Sequence, residues 1–135
     1  MTSAMPTRSL AEARSILVVR LDALGDVLLT SPFLRELRRN APKAKITLVV
    51  QPLALNLVEL CPYVDRILTF RGNADHPGLF RLAWRFMAFC ICHIWGRHWD
   101  IAINPRFDAD SYGATFLLWL SRAGRRAGYS QHVTP

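Results

Sequence analysis

"SILVVRLDALGDVLLTSPFLRELRR", residues 15–39, decides the fold of this chain. Its first seven residues form a short continuous apolar run rich in β-branched side chains. That is the pattern of a strand buried on both faces, as strands of a parallel sheet are. After the Gly25-Asp26 join, Leu29, Phe33 and Leu37 recur at i, i+4, with Leu34 beside them and Arg35, Glu36, Arg38 and Arg39 on the other face. This spacing predicts an amphipathic helix. A buried strand leading into a helix is the first half of a parallel crossover unit.

The alternation continues outward. "AKITLVVQ", residues 44–51, repeats the strand pattern, "PLALNLVELCP" reads as a short helix bounded by Pro52 and Pro62, and "VDRILTF" as a third strand. "RGNADHPG", residues 71–78, is the clearest loop signal, and a long helix follows it. "WDIAINP" predicts a fourth strand, "DSYGATFLLWLSRAG" a helix begun by Asp110 or Ser111 and stopped at Gly124, and "RRAGYS" the start of a fifth strand. The sum, βαβαβαβαβ, predicts an α/β fold with a doubly wound, Rossmann-like parallel sheet, because each parallel return needs a crossover helix. Residues 1–14 read as a flexible leader and residues 15–130 as one Rossmann-like unit. Residues 131–135 offer no closing helix, as expected of a small domain or of the front part of something larger.

At 135 residues the chain is long enough for one hydrophobic core. Seventeen Lys and Arg against ten Asp and Glu give a net charge of +7, which favours nucleic acid, an anionic membrane face, or phosphorylated or carboxylated small molecules as partners. Nucleic acid is the weakest of these, because neither a helix-turn-helix nor an aromatic-basic RNA motif is present. Cys61, Cys90 and Cys92 are odd in number and contain no C-x-x-C pair, which predicts a reducing, cytoplasmic setting. The first fifteen residues lack the apolar core of a secretory signal. Arg81, Arg85 and His93 interrupt the apolar stretch 79–95, so it is not expected to span a membrane.

In an open α/β sheet, ligands bind beyond the carboxyl ends of the strands. This rule selects Asp22 and residues 24–26, then Gln51, residues 71–75 and residues 104–110. Asp26 is open to two readings, a helix cap or a group that meets a ligand. Ser31 followed by Pro32 is the stronger helix start, and a helix that begins there leaves Asp26 without a capping role. One glycine after the strand is no G-x-G-x-x-G, which argues against a nicotinamide or flavin domain. Arg106, Asp108 and Asp110 are either solvated loop charges or part of an arginine fork on an anion. Arg81 and Arg85, at i, i+4 near Trp84, Arg97, His98 and Trp99, are either a solvated basic edge or a contact for an anionic membrane surface. Cys90 and Cys92 point different ways on the helix and read as packing rather than metal binding. The four histidines show no ligand spacing; His93 reads as an ordinary helix residue, and His76, His98 and His132 have no assigned role.

The stretch "ILVVRLDALGDVLLTSPFLRELRRNAPKAKITLVVQP" resembles the opening of glycosyltransferase family 9, the heptosyltransferase-like enzymes. Chains of that family begin with a strand, an Arg or Lys, variable residues and then Gly-Asp-Val before T-x-P. "CPYVDRILTF" is similar to the family's "NPYVDEVI", and "WDIAINPRFD" with "SRAGRRAGY" to its "YDLVIDLQG" and "GARRRIGY", so the likeness runs over residues 16–130. The resemblance implies a GT-B architecture of two Rossmann-like lobes, the first for the acceptor and the second for a nucleotide sugar such as ADP-heptose, with no obligatory metal. This chain resembles the acceptor lobe, and without the donor lobe it is expected to be inactive alone. The resemblance further implies that Asp26 is the catalytic base of an inverting transfer, with Arg20 and Gly25 beside the substrate; Asp22, Arg106 and Asp108, selected by their place at the strand ends, are expected to bind substrate around it. Gly25 is expected to let the backbone turn sharply there. The acceptor implied is a lipopolysaccharide-core-type glycan, anionic and presented at the cytoplasmic membrane face. Two departures from the family pattern stand out: Asp22 where Ser or Thr is common, and "NPRFD" in place of "DLQG". The alternative is a freestanding, non-catalytic α/β module that binds an anionic glycolipid or a nucleotide.

Overall fold

The computed structural model of the chain describes residues 9–71, 78–106 and 113–128. Five strands, β1 (Ser15–Arg20), β2 (Lys45–Val50), β3 (Arg66–Thr69), β4 (Ile101–Asn104) and β5 (Arg125–Gly128), make one sheet in the order β3-β2-β1-β4-β5. Every pairing is parallel; Ile16, for instance, lies opposite Ile46 on one side and Ile101 on the other. The doubly wound α/β sheet expected from the sequence is therefore the fold observed.

The continuous apolar runs are explained by burial on both faces. Leu17, Val19, Leu21, Val49 and Ala102 face one helix layer, formed by α4 (Leu79–Phe89) and α5 (Ala114–Leu120), and pack with Phe86, Phe89 and Leu117. Ile16, Val18, Ile46, Leu48 and Val50 face the other, formed by α1 (Leu24–Leu29), α2 (Ser31–Asn40) and α3 (Leu55–Val58), and pack with Val27, Leu34, Leu37 and Val58. Ahead of β1, in the stretch read from sequence as leader, Leu10–Glu12 form a 3-10 turn and Ala13 is buried in this second core. α3 is preceded by a further 3-10 turn, Pro52–Ala54.

Three local expectations are corrected. The helix expected to start at Ser31-Pro32 is α2, with Thr30 rather than Ser31 at its N-cap, and a separate helix not expected from the pattern, α1, lies ahead of it and ends before Pro32, which has no N–H for the next hydrogen bond. The long helix after residue 78 widens after α4 into a π-helical segment, Cys90–Ile94. α5 stops at Leu120 rather than near Gly124, and the residue that takes the left-handed conformation after its cap is Arg122, with φ +57°. The Arg122 guanidinium lies 4.7 Å from the centre of a Trp95 ring, a cation–π contact that offsets part of the strain of a non-glycine residue there. Asp110 and Ser111, the expected start of this helix, lie outside the described residues; Gly113, with φ +86°, precedes its first turn.

An Asp65 clasp ties the second layer to the sheet edge. Its carboxylate accepts the Ile46 N–H at 2.8 Å and an Arg38 guanidinium N–H at 2.6 Å, while Arg38 also donates to the Tyr63 and Ala44 carbonyls. Partial burial alone would push the Asp65 carboxyl up, but the Ile46 hydrogen bond and the Arg38 charge outweigh it and hold it below the ordinary carboxylate range. At the amino end of the sheet, Asp100 accepts the Arg14 and Ser15 N–H groups. The Arg14 bond is the main reason its carboxyl is also depressed; Ser15 and His98 add to the effect against partial desolvation.

Candidate functional site

The strand order reverses between β1 and β4, and in such sheets the crevice at that switch point is where ligands bind. β1 ends at this point with Arg20, followed by Leu21 and Asp22; β4 ends there with Asn104, followed by Pro105 and Arg106. Four of the expected site residues, Arg20, Asp22, Gly25 and Asp26, thus share one end of the sheet with Arg106. Asp108 lies outside the described residues.

Asp22 is the hub. Its side chain is 5% exposed, and one carboxylate oxygen lies 3.0 Å from Arg20 Nε while the other pairs with Arg106 Nη1. Arg20 Nη1 donates to the Pro105 carbonyl at 3.1 Å, so the residues beyond β1 and β4 are tied to each other on both sides. The Arg20 Nε contact is ionic without being an aligned hydrogen bond. Burial draws the Arg20 guanidinium below its ordinary value; nearby Asp26 works against this and nearby Arg106 adds to it. A guanidinium keeps its proton under such a shift, so the cluster holds two cations around one buried anion. Gln51, selected by its place after β2, donates from Nε2 to the Leu21 carbonyl at 2.5 Å and braces the same turn from the other side. On the β4 side, Asn104 Nδ2 reaches Thr115 Oγ1 at 3.3 Å, joining the strand end to α5.

Asp26 stands differently. It sits in the first turn of α1, its side chain caps no helix, and it is exposed. Among the described residues its carboxylate accepts no hydrogen bond, though its charge is felt at Arg20, and its backbone carbonyl accepts the Thr30 hydroxyl at 2.9 Å. The capping reading therefore fails, although the helix does begin before Asp26. Gly25 is corrected as well: it lies within α1 without a positive φ, so no sharp turn depends on it. A Cβ added there would meet nothing within 4 Å, which leaves the helix backbone next to Asp26 open to close approach.

A second hollow, about 530 Å³, lies beyond the ends of β2 and β3 and is lined among others by Pro52, Arg71, Trp84, Arg85, Phe89 and His93. His93, which the sequence left as an ordinary helix residue, thus faces a cleft. The i, i+4, i+8 series Arg85, Phe89, His93 is the pattern that would have pointed to it. Cys90 is fully buried, and that burial raises its thiol to about 11, which keeps it unreactive. Among the described residues, no group of three or more His, Cys, Asp or Glu is placed to hold a metal ion. Also among them, no helix is long and apolar enough to cross a membrane.

No family model matches the chain. A protein of Haemophilus influenzae, provisionally named a glycosyltransferase, is 34% identical over 67 residues, covering 50% of this chain and 19% of that protein. A solved glycosyl transferase family 9 structure from Veillonella parvula matches with a TM-score of 0.70 and 26% identity, covering 86% of this chain and 32% of that one. The chain resembles glycosyltransferase family 9. A further family 9 neighbour in fold, the E. coli heptosyltransferase WaaC solved with ADP, has a TM-score of 0.68 at 20% identity, over 84% of this chain and 35% of its own. The chain thus spans about a fifth of the curated relative and about a third of these family 9 structures. Set against the family strings, the two departures prove to be partners: Asp22, in place of Ser or Thr, is ion-paired to Arg106 of the "NPRFD" segment.

Proposed function

We propose that this chain is the acceptor-side lobe of an inverting, family 9-like glycosyltransferase, with Asp26 as the general base. The observation that carries this reading is the contrast at the switch point. Arg20, Asp22 and Arg106 are paired with one another, while Asp26 stands exposed beside them and, among the described residues, its carboxylate makes no hydrogen bond. In the proposed step, an acceptor hydroxyl oxygen attacks the anomeric carbon of a nucleotide sugar, and Asp26 takes the hydroxyl proton as the new glycosidic bond forms. The bond from that carbon to the nucleotide diphosphate breaks, and the diphosphate leaves with the electron pair. Gly25 gives the acceptor room beside α1. Arg20 and Arg106 place positive potential behind the site, and Asp22 fixes where that potential lies. Asp108 joins Arg106 in this proposal as a further acceptor contact.

Because fold by itself does not assign chemistry, the acceptor and donor come from the site's charge and from the relatives. A basic protein with paired guanidiniums at its crevice suits an anionic glycan or glycolipid of lipopolysaccharide-core type, met at the cytoplasmic face of the membrane. One family 9 neighbour was solved with ADP and another structure of WaaC with ADP-2-deoxy-2-fluoro heptose, which supports an ADP-sugar donor held chiefly by a second lobe. The 135-residue chain alone is therefore expected to show no turnover. The test is sugar transfer from ADP-heptose to a heptose-deficient lipopolysaccharide by the protein joined to a donor-binding lobe, beside its Asp26→Ala variant. A fall in kcat of about 10²-fold or more is expected. Turnover by the variant at the unsubstituted rate would defeat the base assignment, and turnover by the isolated chain would defeat the need for a second lobe.

A further inference from the structure

The two helix layers of the sheet differ in charge. The layer of α1, α2 and α3 mixes Arg35, Arg38, Arg39 and Lys45 with Glu36, Glu59 and Asp65. The opposite layer, residues 78–99 and 113–124, contains four arginines, Arg81, Arg85, Arg97 and Arg122, and among these described residues no Asp or Glu; Asp75, Asp108 and Asp110 of the flanking segments lie outside the described residues. Its outer surface also carries the exposed aromatic side chains of the described residues. Along α4 and the π-helical segment, Phe80, Trp84, Met87 and Ile91 follow at helical spacing and are 91%, 74%, 42% and 58% exposed. On the neighbouring α5, Phe116 and Trp119 are exposed and stack on each other, and Phe116 meets Phe86 of α4 edge-on with ring centres 5.0 Å apart. The buried faces of these helices are already filled by Phe86, Phe89, Ile94 and Leu117, so the outer residues have no core left to join.

We propose that this α4 and α5 layer docks the protein on an anionic lipid surface. Large aromatic and aliphatic side chains at this exposure are rarely left bare on a soluble monomer. Phenylalanine and tryptophan beside arginine suit the boundary between headgroups and acyl chains, where the ring is desolvated and the cation meets lipid phosphate. Charge and side-chain type select the occupant: exposed leucines also occur on the other layer, at Leu24, Leu28, Leu29, Leu53, Leu55, Leu57 and Leu60, but no exposed aromatic is among them and acidic residues accompany them. The geometry also places the crevice near the surface. α4 begins just after the loop that leaves the carboxyl end of β3, so Phe80 and Trp84 lie toward the ligand-binding end of the sheet. Only the expectation of an anionic lipid acceptor is shared with the transfer reading, and docking needs no turnover, so the two can fail separately.

The test is cosedimentation of the protein with vesicles of phosphatidylglycerol and phosphatidylcholine, against vesicles of phosphatidylcholine alone, for the unsubstituted chain, Phe80→Ser with Trp84→Ser, and Arg81→Gln. Binding is expected to the anionic vesicles and to fall with salt. The aromatic double variant is expected to bind at least about tenfold more weakly with an unchanged circular dichroism spectrum. The arginine variant should lose about fivefold. Equal binding by the aromatic variant, or equal binding to neutral and anionic vesicles, would overturn the proposal. So would absence of vesicle binding, including the case where these substitutions instead abolish self-association or binding to a single-stranded oligonucleotide.

Discussion

Replacing Asp22 by asparagine keeps the shape of the hub and removes its charge. The consequence follows from burial: the carboxylate is 5% exposed and its partners, Arg20 and Arg106, are 10% and 15% exposed. Two guanidiniums would be left facing each other with little water between them. Removing one partner of a buried ion pair costs about 3 to 5 kcal/mol. Here the residual exposure of the arginines and the one bond an asparagine oxygen can still accept reduce this to about 2 to 3 kcal/mol. For 135 residues the unfolding entropy near 60 °C is about 280 cal/mol/K, so Asp22→Asn should lower Tm by about 7 to 11 °C. The assay is a circular dichroism melt of the unsubstituted chain, Asp22→Asn, Arg106→Gln and the double variant at one pH and ionic strength. The double variant, which removes a cation together with the anion, should recover a substantial part of the loss relative to Asp22→Asn. A Tm for Asp22→Asn within 2 °C of the unsubstituted protein would refute the reasoning, because the charge would then be solvated rather than needed by its partners.

Asp26→Asn, by contrast, removes no side-chain hydrogen bond, and its melt should stay within about 1 kcal/mol of the unsubstituted protein, the range of a first-turn helix charge. Gly113→Ala should destabilise by about 2 to 4 kcal/mol in a urea titration, since φ is +86° and the new Cβ would fall 2.5 Å from Phe86 Cζ. Gly25→Ala should raise stability by about 0.5 to 1 kcal/mol, because the glycine sits in a helix with open space at its Cβ, while slowing transfer if the acceptor passes there. Asp65 and Asp100 are both depressed in the folded state, so their contribution is complete above the ordinary aspartate value, about pH 3.9, and is lost as pH falls below it through the folded values. Melts taken from pH 6 down to pH 2 should therefore show Asp65→Asn and Asp100→Asn losing less stability on acidification than the unsubstituted chain.

The sheet was legible because its information is local and redundant. Each of the five strands is a short run whose neighbours in sequence are turn or helix signals, and in β1, β2 and β4 burial on both faces leaves no polar alternation to confuse the pattern, while the edge strands β3 and β5 are partly or largely exposed. Element ends were less legible, because they depend on atoms the pattern does not count. Pro32 breaks the first helix by lacking one N–H, and Arg122 ends α5 in a conformation the rule gives to glycine, supported by a tryptophan 27 residues earlier in the chain. The site was legible by place and by resemblance but not by role. Arg20, Asp22 and Arg106 appear in the sequence as charges at strand ends, and nothing in a linear pattern says that the carboxylate of residue 22 will meet the guanidinium of residue 106. Sequence separation hides the pair; the β1 to β4 pairing creates it. This changes the meaning of the two departures from the family pattern. Read singly, an Asp for a Ser or Thr and an Arg for a Gln each suggest an altered acceptor site. Read together, Asp22 and Arg106 offset each other by pairing, while Asn104 stands where the family string has Asp, so the departures together remove one negative charge from the strand ends. The cluster's net charge of one, rather than either substitution alone, is what an acceptor phosphate or carboxylate would meet.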